Sequence, residues 1–364
     1  MNYYEKELNI IEQSNRLRKR KLFDKKLIDL ASNDYLGLST KKALLRKTYK
    51  KLKKEKSFSP KASMLVNGYS NIHNEFEKRL CKLNKFENGI VVGSGFLANI
   101  ALIESLIRKR DVLFIDEQYH ASGMLACKLV QGEVVVFKHN DINDLKNKIT
   151  ELSSKANRII IAIEGVYSMG GDIAPKEFNE IADENNAILL VDEAHSSGVI
   201  GDNLLGWYDY HNILPKKNHI KMGTLGKAYG SYGAYILSSC EIISFLENRA
   251  KPIIYGTAPS LFDIALANTN LKYLQKNKTK IKQKIKKNIK LVNKHLDIDV
   301  KSLIVPIEIG DNKKVIDIQN ELIKKGYLVG AIRQPTVPKA IIRMIIKLDV
   351  KKKDLIEVMK SLYI

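Results

Sequence analysis

The stretch 219-HIKMGTLGKAYGSYGAYILSS-239 consists of an apolar run, a turn of small residues that contains Lys227, and a second apolar run. The chain has 61 lysines and arginines, and most of them stand in plainly solvated settings. Lys227 differs because Gly226 and Ala228 flank it in a turn directly after a predicted strand. A partly desolvated lysine in such a place is suited to Schiff-base chemistry with a carbonyl group. The stretch therefore predicts two strands joined by a turn that presents a reactive amine.

The chain on either side of this stretch alternates short β-branched runs with longer mixed segments. Several runs are apolar throughout, as in strands that are buried on both faces. Segments 96–110 and 174–187 have the pattern of helices, and alternating strands and helices indicate an α/β fold with a mostly parallel sheet. The seven predicted strands are 89–93, 111–116, 133–139, 158–165, 187–194, 219–225 and 233–239.

Three parts of the chain differ in pattern. Residues 1–60 are basic and look helical, without strong strands. Residues 61–258 contain the predicted sheet, so we expect the large α/β domain and the chemistry there. Residues 259–364 combine long helices with strands at 304–310 and 327–333, which indicates a smaller C-terminal α+β domain.

The composition excludes several classes of protein. Among 364 residues, 45% are hydrophobic and 28% are charged, which is typical of a globular chain. The sequence has neither an apolar run long enough to span a bilayer nor an apolar signal core near its start, and its three cysteines are far apart. We therefore expect a soluble, cytoplasmic protein without a membrane partner.

The formal net charge of +21 is compatible with a nucleic-acid or anionic-membrane partner. However, the lysines are scattered among Asn and Ile, as in 275–295, where apolar residues at helical spacing leave a solvated basic face. An AT-rich genome would give the same composition. We favour that interpretation and expect no nucleic-acid partner.

Polar residues follow several predicted strands, and in an open α/β sheet ligands bind beyond the carboxyl ends of the strands. Asp192 ends a buried strand, where an ionised carboxylate needs a cationic partner such as a pyridinium nitrogen, an arginine or a lysine. His195 follows three positions later, and the Asp-x-x-His spacing is also compatible with a metal pair. No further cluster of ligands accompanies it in the sequence, so we favour the first interpretation and expect no metal.

Four more features complete a pattern. The turn 93-GSGFLAN-99 opens a predicted helix, whose free N–H groups favour a phosphate, although glycines also serve in ordinary tight turns. His120 follows the second strand and would alone be interpreted as a capping or core histidine. The segment 164-EGVYSMGGDIAP-175 suits a ligand-facing loop, and Thr224 can donate to a phosphate. Together with Lys227 these features predict a pyridoxal 5'-phosphate site.

Four motifs resemble those of the α-oxoamine synthases, a family in the aminotransferase-like fold type I of pyridoxal phosphate enzymes. The resemblance extends from about residue 10 to the C-terminus. It implies a large domain with a mostly parallel seven-stranded sheet, a smaller C-terminal α+β domain, and a homodimer with shared active sites. The motifs are 31-ASNDYLGL-38, 164-EGVYSMGGD-172, 191-VDEAHSSGVIG-201 and 224-TLGKAYG-230.

The resemblance implies a set of cofactor-binding residues. Lys227 is expected to form the Schiff base and to move protons at the substrate α-carbon, and Asp192 to pair with the pyridinium nitrogen. His195 is expected to contact the phenolic oxygen, and His120 to stack on the ring. The remaining members are Gly95, Phe96 and Thr224 at the phosphate, Ser168 in the site, and Thr257 reaching in from a partner subunit.

The resemblance also implies substrate-binding residues. Arg343 resembles the arginine that grips the amino-acid carboxylate, where a bidentate fork fixes orientation. Asn33 lines the same site by its motif position. Arg18 aligns loosely with an arginine proposed for recognition of the acyl chain, and an ordinary solvated charge is an equally open interpretation of it.

Within the family, the best match is to the enzymes of biotin synthesis. These enzymes condense L-alanine with a pimeloyl thioester, either pimeloyl-CoA or pimeloyl-acyl carrier protein, and yield 8-amino-7-oxononanoate, CO2 and the thiol carrier. The segments that discriminate are 67-NGYSNIHNEFE-77, 252-PIIYGTAPS-260 and 331-AIRQPTVP-338.

Three alternatives stay open at this point. A sister synthase would use another pair, such as glycine and acetyl-CoA to give 2-amino-3-oxobutyrate. An aminotransferase shares the Asp and the Lys but needs no thioester pocket. A basic nucleic-acid-binding protein on an inert fold predicts a steep salt dependence of binding.

Overall fold

The computed structural model describes residues 3–153 and 156–362. The chain groups into two compact units. The first contains residues up to Tyr35, Met169–Gly171 and residues from Lys284 onward, and the second contains Leu36–Ser168 and Asp172–Gln283. The division at 60/61 and 258/259 stays a prediction. The first two and last two residues of the predicted terminal segments lie outside the described residues.

Helices and strands alternate over most of the described chain. The helices are α1 (Glu5–Gln13), α2 (Lys42–Leu52), α3 (Asn71–Asn84), α4 (Gly95–Leu106), α5 (Ala121–Ala126), α6 (Ile142–Leu152), α7 (Glu177–Glu184), α8 (Trp207–Tyr210), α9 (Cys240–Arg249), α10 (Lys251–Ile254), α11 (Leu261–Leu296), α12 (Asn312–Lys324) and α13 (Lys352–Leu362). The strands are β1 (Ile28–Asp29), β2 (Asn88–Val92), β3 (Val112–Asp116), β4 (Glu133–Phe137), β5 (Ile159–Glu164), β6 (Ile188–Asp192), β7 (His219–Thr224), β8 (Ala234–Ser238), β9 (Ile304–Gly310), β10 (Tyr327–Leu328), β11 (Gly330–Ile332) and β12 (Ala340–Ile345).

The second unit is built on a seven-stranded sheet with the strand order β2-β8-β7-β6-β5-β3-β4. Strand β8 runs antiparallel to β2 and β7, and the other adjacent pairs are parallel. The predicted mostly parallel seven-stranded sheet is thereby confirmed, with every strand end within two residues of its predicted position. Strands β3, β5 and β8 are buried along their whole length, which explains why their sequences do not alternate.

The apolar face of α4 packs on this sheet. Leu102 and Ile103 of the helix share one buried cluster with Leu113, Ile160 and Ile236 of three different strands. Removing these side chains from water is the main force that fixes the helix on the sheet. The packing holds the first residues of α4 next to the strand ends, where the candidate site lies.

The first unit contains a three-stranded antiparallel sheet, β11-β12-β9, and the parallel pair β1-β10. The single strand predicted over 327–333 is wrong, because this segment forms two strands with different partners. Val329 lies buried between them. A Cβ at Gly330 would lie 3.1 Å from the carbonyl oxygen of Arg343, so the absent side chain lets β11 approach β12 closely.

Among the described residues, none of the helices combines the length and the apolar character needed to cross a membrane.

Candidate active site

A cavity of about 210 Å³ opens at the carboxyl ends of β5, β6 and β7, beside the start of α4. The register of the sheet sets its floor, since Glu164 pairs with Asp192 and Asp192 pairs with Met222 on neighbouring strands. This is the edge where parallel sheets bind ligands. The residues around the cavity are Gly95, Phe96, Asn99, His120, Glu164, Asp192, Ala194, His195, Met222, Thr224 and Lys227.

Lys227 and His195 meet in this cavity. Lys227 follows β7 in a tight turn closed by the 2.9 Å hydrogen bond from the Gly230 N–H to its carbonyl oxygen. Its Nζ lies 2.8 Å from Nε2 of His195. His195 is buried, whereas Lys227 is half-buried. At this distance a proton can pass between the Lys227 amine and the His195 imidazole.

Asp192 lies at the base of the cavity with its carboxylate fixed from two sides. The N–H of Ala194 donates to Oδ1 at 2.9 Å, and Nδ2 of Asn99 donates to Oδ2 at 2.8 Å. Asn99 also donates to Ser122 Oγ at 2.9 Å and accepts from the Tyr119 hydroxyl at 2.9 Å. Since both hydrogens of the amide are used, Asn99 holds Asp192 in one orientation.

His120 caps α5 and faces the same cavity. Its Nδ1 accepts the N–H of Ser122 at 3.2 Å and lies 2.7 Å from Ser122 Oγ. Burial lowers the pKa of His120, and Lys227 lowers it further against the opposing influence of Asp192. An imidazole that accepts at Nδ1 and is neutral carries its proton on Nε2.

Glu164 is a second buried carboxyl group beside Asp192. Its Oε2 accepts the Ser168 N–H at 2.9 Å, while its Oε1, within the described chain, makes no hydrogen bond. Burial raises the pKa of Glu164 well above its ordinary value, and the charge of Asp192 raises it further. Glu164 therefore places a buried carboxyl group with a raised pKa in the cavity wall.

The start of α4 and Thr224 form a small polar cradle. Because the helix begins at Gly95, the N–H groups of Gly95 and Phe96 have no acceptor within the helix. A Cβ at Gly95 would lie 3.9 Å from the Thr224 hydroxyl oxygen. That hydroxyl donates to the Gly233 carbonyl at 3.1 Å and accepts from the Gly226 N–H at 3.3 Å. Such a cradle suits a phosphate.

These donors fit pyridoxal phosphate. Asp192 offers a fixed anion to the ring nitrogen, Lys227 an amine to the aldehyde, and the start of α4 an anion cradle. The unsatisfied Oε1 of Glu164 indicates that a polar partner belongs in the cavity. The structure thus brings together Gly95, Phe96, His120, Asp192, His195, Thr224 and Lys227 from the predicted set.

The other predicted residues lie elsewhere. Ser168 contacts Glu164 through its backbone N–H, and the exposed Thr257 pairs with Ser63 in an isolated bridge; neither lines the cavity of this chain. In the first unit, the Arg343 guanidinium donates to Asn33 Oδ1 at 3.0 Å. There too, Arg18 donates to the Thr336 hydroxyl at 3.0 Å.

Two polar residues of the cavity were not singled out from the sequence. Glu164 ends a buried strand just as Asp192 does, so the same argument about a buried carboxylate applied to it. Asn99 is a polar residue among the apolar positions of α4, and its burial becomes evident only once the helix face is known. A buried amide needs hydrogen-bond partners, and that was the available signal.

Comparisons with known proteins show the family of the chain. Residues 25–362 match the family described as aminotransferase class I and II. The chain is 46% identical over 361 residues to 8-amino-7-oxononanoate synthase from Helicobacter pylori, covering 99% of this chain and 96% of that protein. A putative 8-amino-7-oxononanoate synthase from Aquifex aeolicus is 36% identical, covering 98% of this chain and 96% of that protein.

Solved structures show the same fold. Serine palmitoyltransferase from S. paucimobilis, solved with a bound PLP–myriocin aldimine, has a TM-score of 0.89 at 24% identity, covering 98% of this chain and 96% of that chain. The 8-amino-7-oxononanoate synthase from Francisella tularensis has a TM-score of 0.77 at 26% identity, covering 93% of this chain and 97% of that chain. The protein is a pyridoxal phosphate-dependent acyltransferase. The chain belongs to the aminotransferase class I and II family, in the α-oxoamine synthase branch of the fold type I pyridoxal phosphate enzymes.

Proposed function

We propose that this enzyme condenses L-alanine with a pimeloyl thioester and releases 8-amino-7-oxononanoate, CO2 and the free thiol carrier. In this reaction the alanine α-carbon bonds to the thioester carbonyl carbon, the thiol leaves, and the alanine carboxyl group departs as CO2. The observation that carries the proposal is the 46% identity, over 99% of the chain, to 8-amino-7-oxononanoate synthase from Helicobacter pylori. The contact between Lys227 and His195 supports it.

The cofactor, when bound, supplies an electron sink for the negative charge that develops at the amino-acid α-carbon. Asp192 would hold its ring nitrogen, and the N–H groups of Gly95 and Phe96 with the Thr224 hydroxyl would hold its phosphate. The hydrogen bonds from Ala194 and Asn99 keep the Asp192 carboxylate in place before any ligand arrives. Such preorganisation spares the reaction the cost of turning the carboxylate.

Lys227 is the group proposed to move the proton at the alanine α-carbon. Its Nζ has an imidazole nitrogen, Nε2 of His195, at 2.8 Å. That nitrogen can take a proton from the amine or return one. His195 is buried, so the exchange is shielded from bulk water.

His120 is proposed to lie on the face of the cofactor ring. A cationic imidazole there would repel a protonated pyridine ring. The lowered pKa of His120, caused mainly by its burial, keeps it neutral at physiological pH. The bonds from Ser122 fix its orientation.

Arg343 is proposed to bind the alanine carboxylate, with Asn33 orienting the guanidinium. Arg343 is buried. Its hydrogen bond to Asn33 fixes one nitrogen of the guanidinium group. Arginine suits a planar carboxylate because two parallel hydrogen bonds can form. Arg18 is proposed to contact the acyl substrate, which is either pimeloyl-CoA or the pimeloyl-acyl carrier protein.

A homodimer with shared sites is also proposed. Exposed apolar side chains lie on the turn at residues 64–68, at the start of α4 and just after α10, namely Leu65, Val66, Phe96, Leu97 and Tyr255. The turn at 64–68 and the end of α10 lie side by side, since the Ser63 hydroxyl donates to the Ile254 carbonyl at 2.8 Å. Neighbouring exposed apolar residues of this kind indicate a protein interface, and Thr257 pairs with Ser63 beside it.

The dimer with shared sites is tested by mixing Lys227→Ala and Thr257→Ala subunits. If Thr257 serves the partner's site, mixed dimers contain one site without any substitution, and about a quarter of the wild-type activity returns. If no activity returns, Thr257 serves its own chain or none.

The substrate pair is tested by a matrix of kcat/KM values. L-Alanine, glycine and L-serine are each combined with pimeloyl-CoA, pimeloyl-acyl carrier protein, acetyl-CoA and palmitoyl-CoA, and products are identified by mass spectrometry. The proposal expects L-alanine with one of the pimeloyl thioesters to exceed every other pair by at least about a hundredfold. A higher value for glycine with acetyl-CoA would assign a sister synthase instead.

A further inference from the structure

A histidine held between two carboxylates lies outside the cavity. Nδ1 of His139 is 2.9 Å from Asp116 Oδ1, and its Nε2 is 2.8 Å from Asp172 Oδ2. Asp116 ends β3, His139 follows β4, and Asp172 closes the loop 165–173 after β5. Three segments that are distant in sequence are therefore joined at one imidazole ring.

Both ring nitrogens can donate to carboxylates at once only when the imidazole is protonated. Burial opposes a charge on this ring, but the hydrogen bonds to Asp116 and Asp172 outweigh it and raise the pKa of His139 to about 9. The neighbouring Glu117 contributes an oxygen that accepts the His139 backbone N–H at 3.0 Å, and Tyr167 meets the ring edge-on, with centroids 4.3 Å apart.

Asp116 and Asp172 are also tied to the adjacent Asn140. The Asn140 backbone N–H donates to Asp116 Oδ2 at 2.9 Å, and its side-chain amide donates to Asp172 Oδ2 at 2.7 Å. Asp116 is buried, and the Asp172 side chain is 40% exposed. The ring thus contacts a buried carboxylate on the β3 side, while Asp172 is the more exposed partner, which the ring and the Asn140 amide hold together.

The loop 165–173 does not line the cavity but contacts Glu164, which does. Val166 pairs with Ile173 in an isolated bridge, and the Tyr167 N–H donates to the Asp172 carbonyl at 3.0 Å. The next residue, Ser168, donates its N–H to Oε2 of Glu164 in the cavity wall. Holding Asp172 therefore holds the Ser168 N–H against Glu164.

We propose that the His139 imidazolium is a positioning residue that pins the loop 165–173 through Asp172 and so keeps Ser168 and Glu164 in place for the cofactor. The inference rests on the assigned cofactor site but not on the identity of the thioester. Because the pKa of His139 is raised, its pinning is complete below the ordinary histidine pKa of about 6.5 and is lost as the pH rises through about 9.

The first test compares wild type, His139→Gln and His295→Gln by hydrogen–deuterium exchange at neutral pH. His295 is a matched control on α11, where its Nδ1 contacts the Leu291 carbonyl. In His139→Gln the peptide covering 164–175 is expected to exchange at least about tenfold faster, while the peptide covering β6 is unchanged. The affinity for pyridoxal phosphate, titrated by absorbance, is expected to fall about five- to twentyfold.

The second test separates pinning by charge from a merely structural role. The difference in Tm between wild type and His139→Gln should be largest below about pH 6.5 and shrink as the pH rises through about 9. In an Asp172→Asn background, which removes one carboxylate partner, the midpoint of that decline should move toward neutral pH. A Tm difference that is independent of pH, unchanged exchange of 164–175 or unchanged cofactor affinity would each overturn the proposal. None of these measurements uses a thioester. A failure of this proposal can therefore be distinguished from a failure of the proposed condensation.

Discussion

Asn99 donates a hydrogen bond of 2.8 Å to the carboxylate of Asp192, and the two residues come from α4 and β6, 93 positions apart. The amide of Asn99 is itself fixed by Tyr119 and Ser122. The carboxylate that is assigned to the cofactor ring nitrogen is thus oriented by a helix that also begins the phosphate cradle. A single helix would therefore position both ends of the cofactor in the proposed site.

We predict that Asn99→Leu weakens pyridoxal phosphate binding by about tenfold to a hundredfold, because a hydrogen bond to a charged group contributes about 1.5–3 kcal/mol. The measurement is the dissociation constant from absorbance titration. Asn179→Leu serves as the control, since Asn179 bonds an exposed Asp183 on α7. Equal affinities of the Asn99→Leu and wild-type proteins would contradict the role of this bond.

Glu164 is predicted to act as a neutral acid, because burial raises its pKa well above the ordinary value. Glu164→Gln copies the shape and neutrality of that acid, so cofactor affinity should stay within about threefold of wild type. Glu164→Ala leaves the Ser168 N–H without its acceptor and should lower the cofactor affinity about tenfold. Both constants come from the same titration. Losses of equal size in Gln and Ala would show that Glu164 works as an anion.

The buried ion pair between Lys221 and Glu193 is predicted to control stability. Lys221 Nζ lies 3.2 Å from Glu193 Oε1, and both side chains are almost fully buried. Lys221→Met leaves the Glu193 charge uncompensated and should lower the free energy of unfolding by about 3–5 kcal/mol. Chemical denaturation measures it. The double variant Lys221→Met/Glu193→Gln should lose less than the sum of the single losses, and strict additivity would rule out the pairing.

His219 is predicted to make the fold sensitive to acid. It is buried, its Nδ1 accepts the Lys216 N–H, and burial lowers its pKa to about 4, with Asp183 and Lys216 acting in opposite directions. The unfolded chain binds this proton more readily between about pH 4 and 6.5, so the free energy of unfolding should rise by about 3 kcal/mol across that window.

The check on His219 is the difference between wild type and His219→Gln in denaturation experiments at several pH values. The difference should grow from acidic to neutral pH and then stay constant. Parallel stability curves for the two proteins across the whole range would show that His219 titrates normally in the folded state.

The sheet could be predicted from the sequence because its strands are apolar runs that turns separate clearly. The strand-end argument also located Asp192, Thr224 and Lys227, since the topology brings the carboxyl ends of β6 and β7 to one edge. The helix start at Gly95 was visible as a turn of small residues. These features are local, and local patterns are what a single sequence displays.

The features that the sequence did not predict depend on contacts between distant segments. The pairing of Asp116, His139 and Asp172 requires the strand order β5-β3-β4, which differs from the order along the chain. The division of 327–333 into two strands depends on partners at Ile28–Asp29 and in β12. The predicted roles of Ser168, Thr257, Asn33, Arg343 and Arg18 remain predictions.

The most direct test of the central claim is the visible absorption spectrum of the purified protein loaded with pyridoxal phosphate, recorded for wild type and Lys227→Ala during titration with L-alanine and with glycine, before and after addition of pimeloyl-CoA. The account predicts a cofactor band that depends on Lys227, that responds to L-alanine at concentrations at least about tenfold lower than to glycine, and that changes again when the thioester is added. A wild-type band that responds to glycine in preference to L-alanine, or a band that is identical in Lys227→Ala, would contradict it.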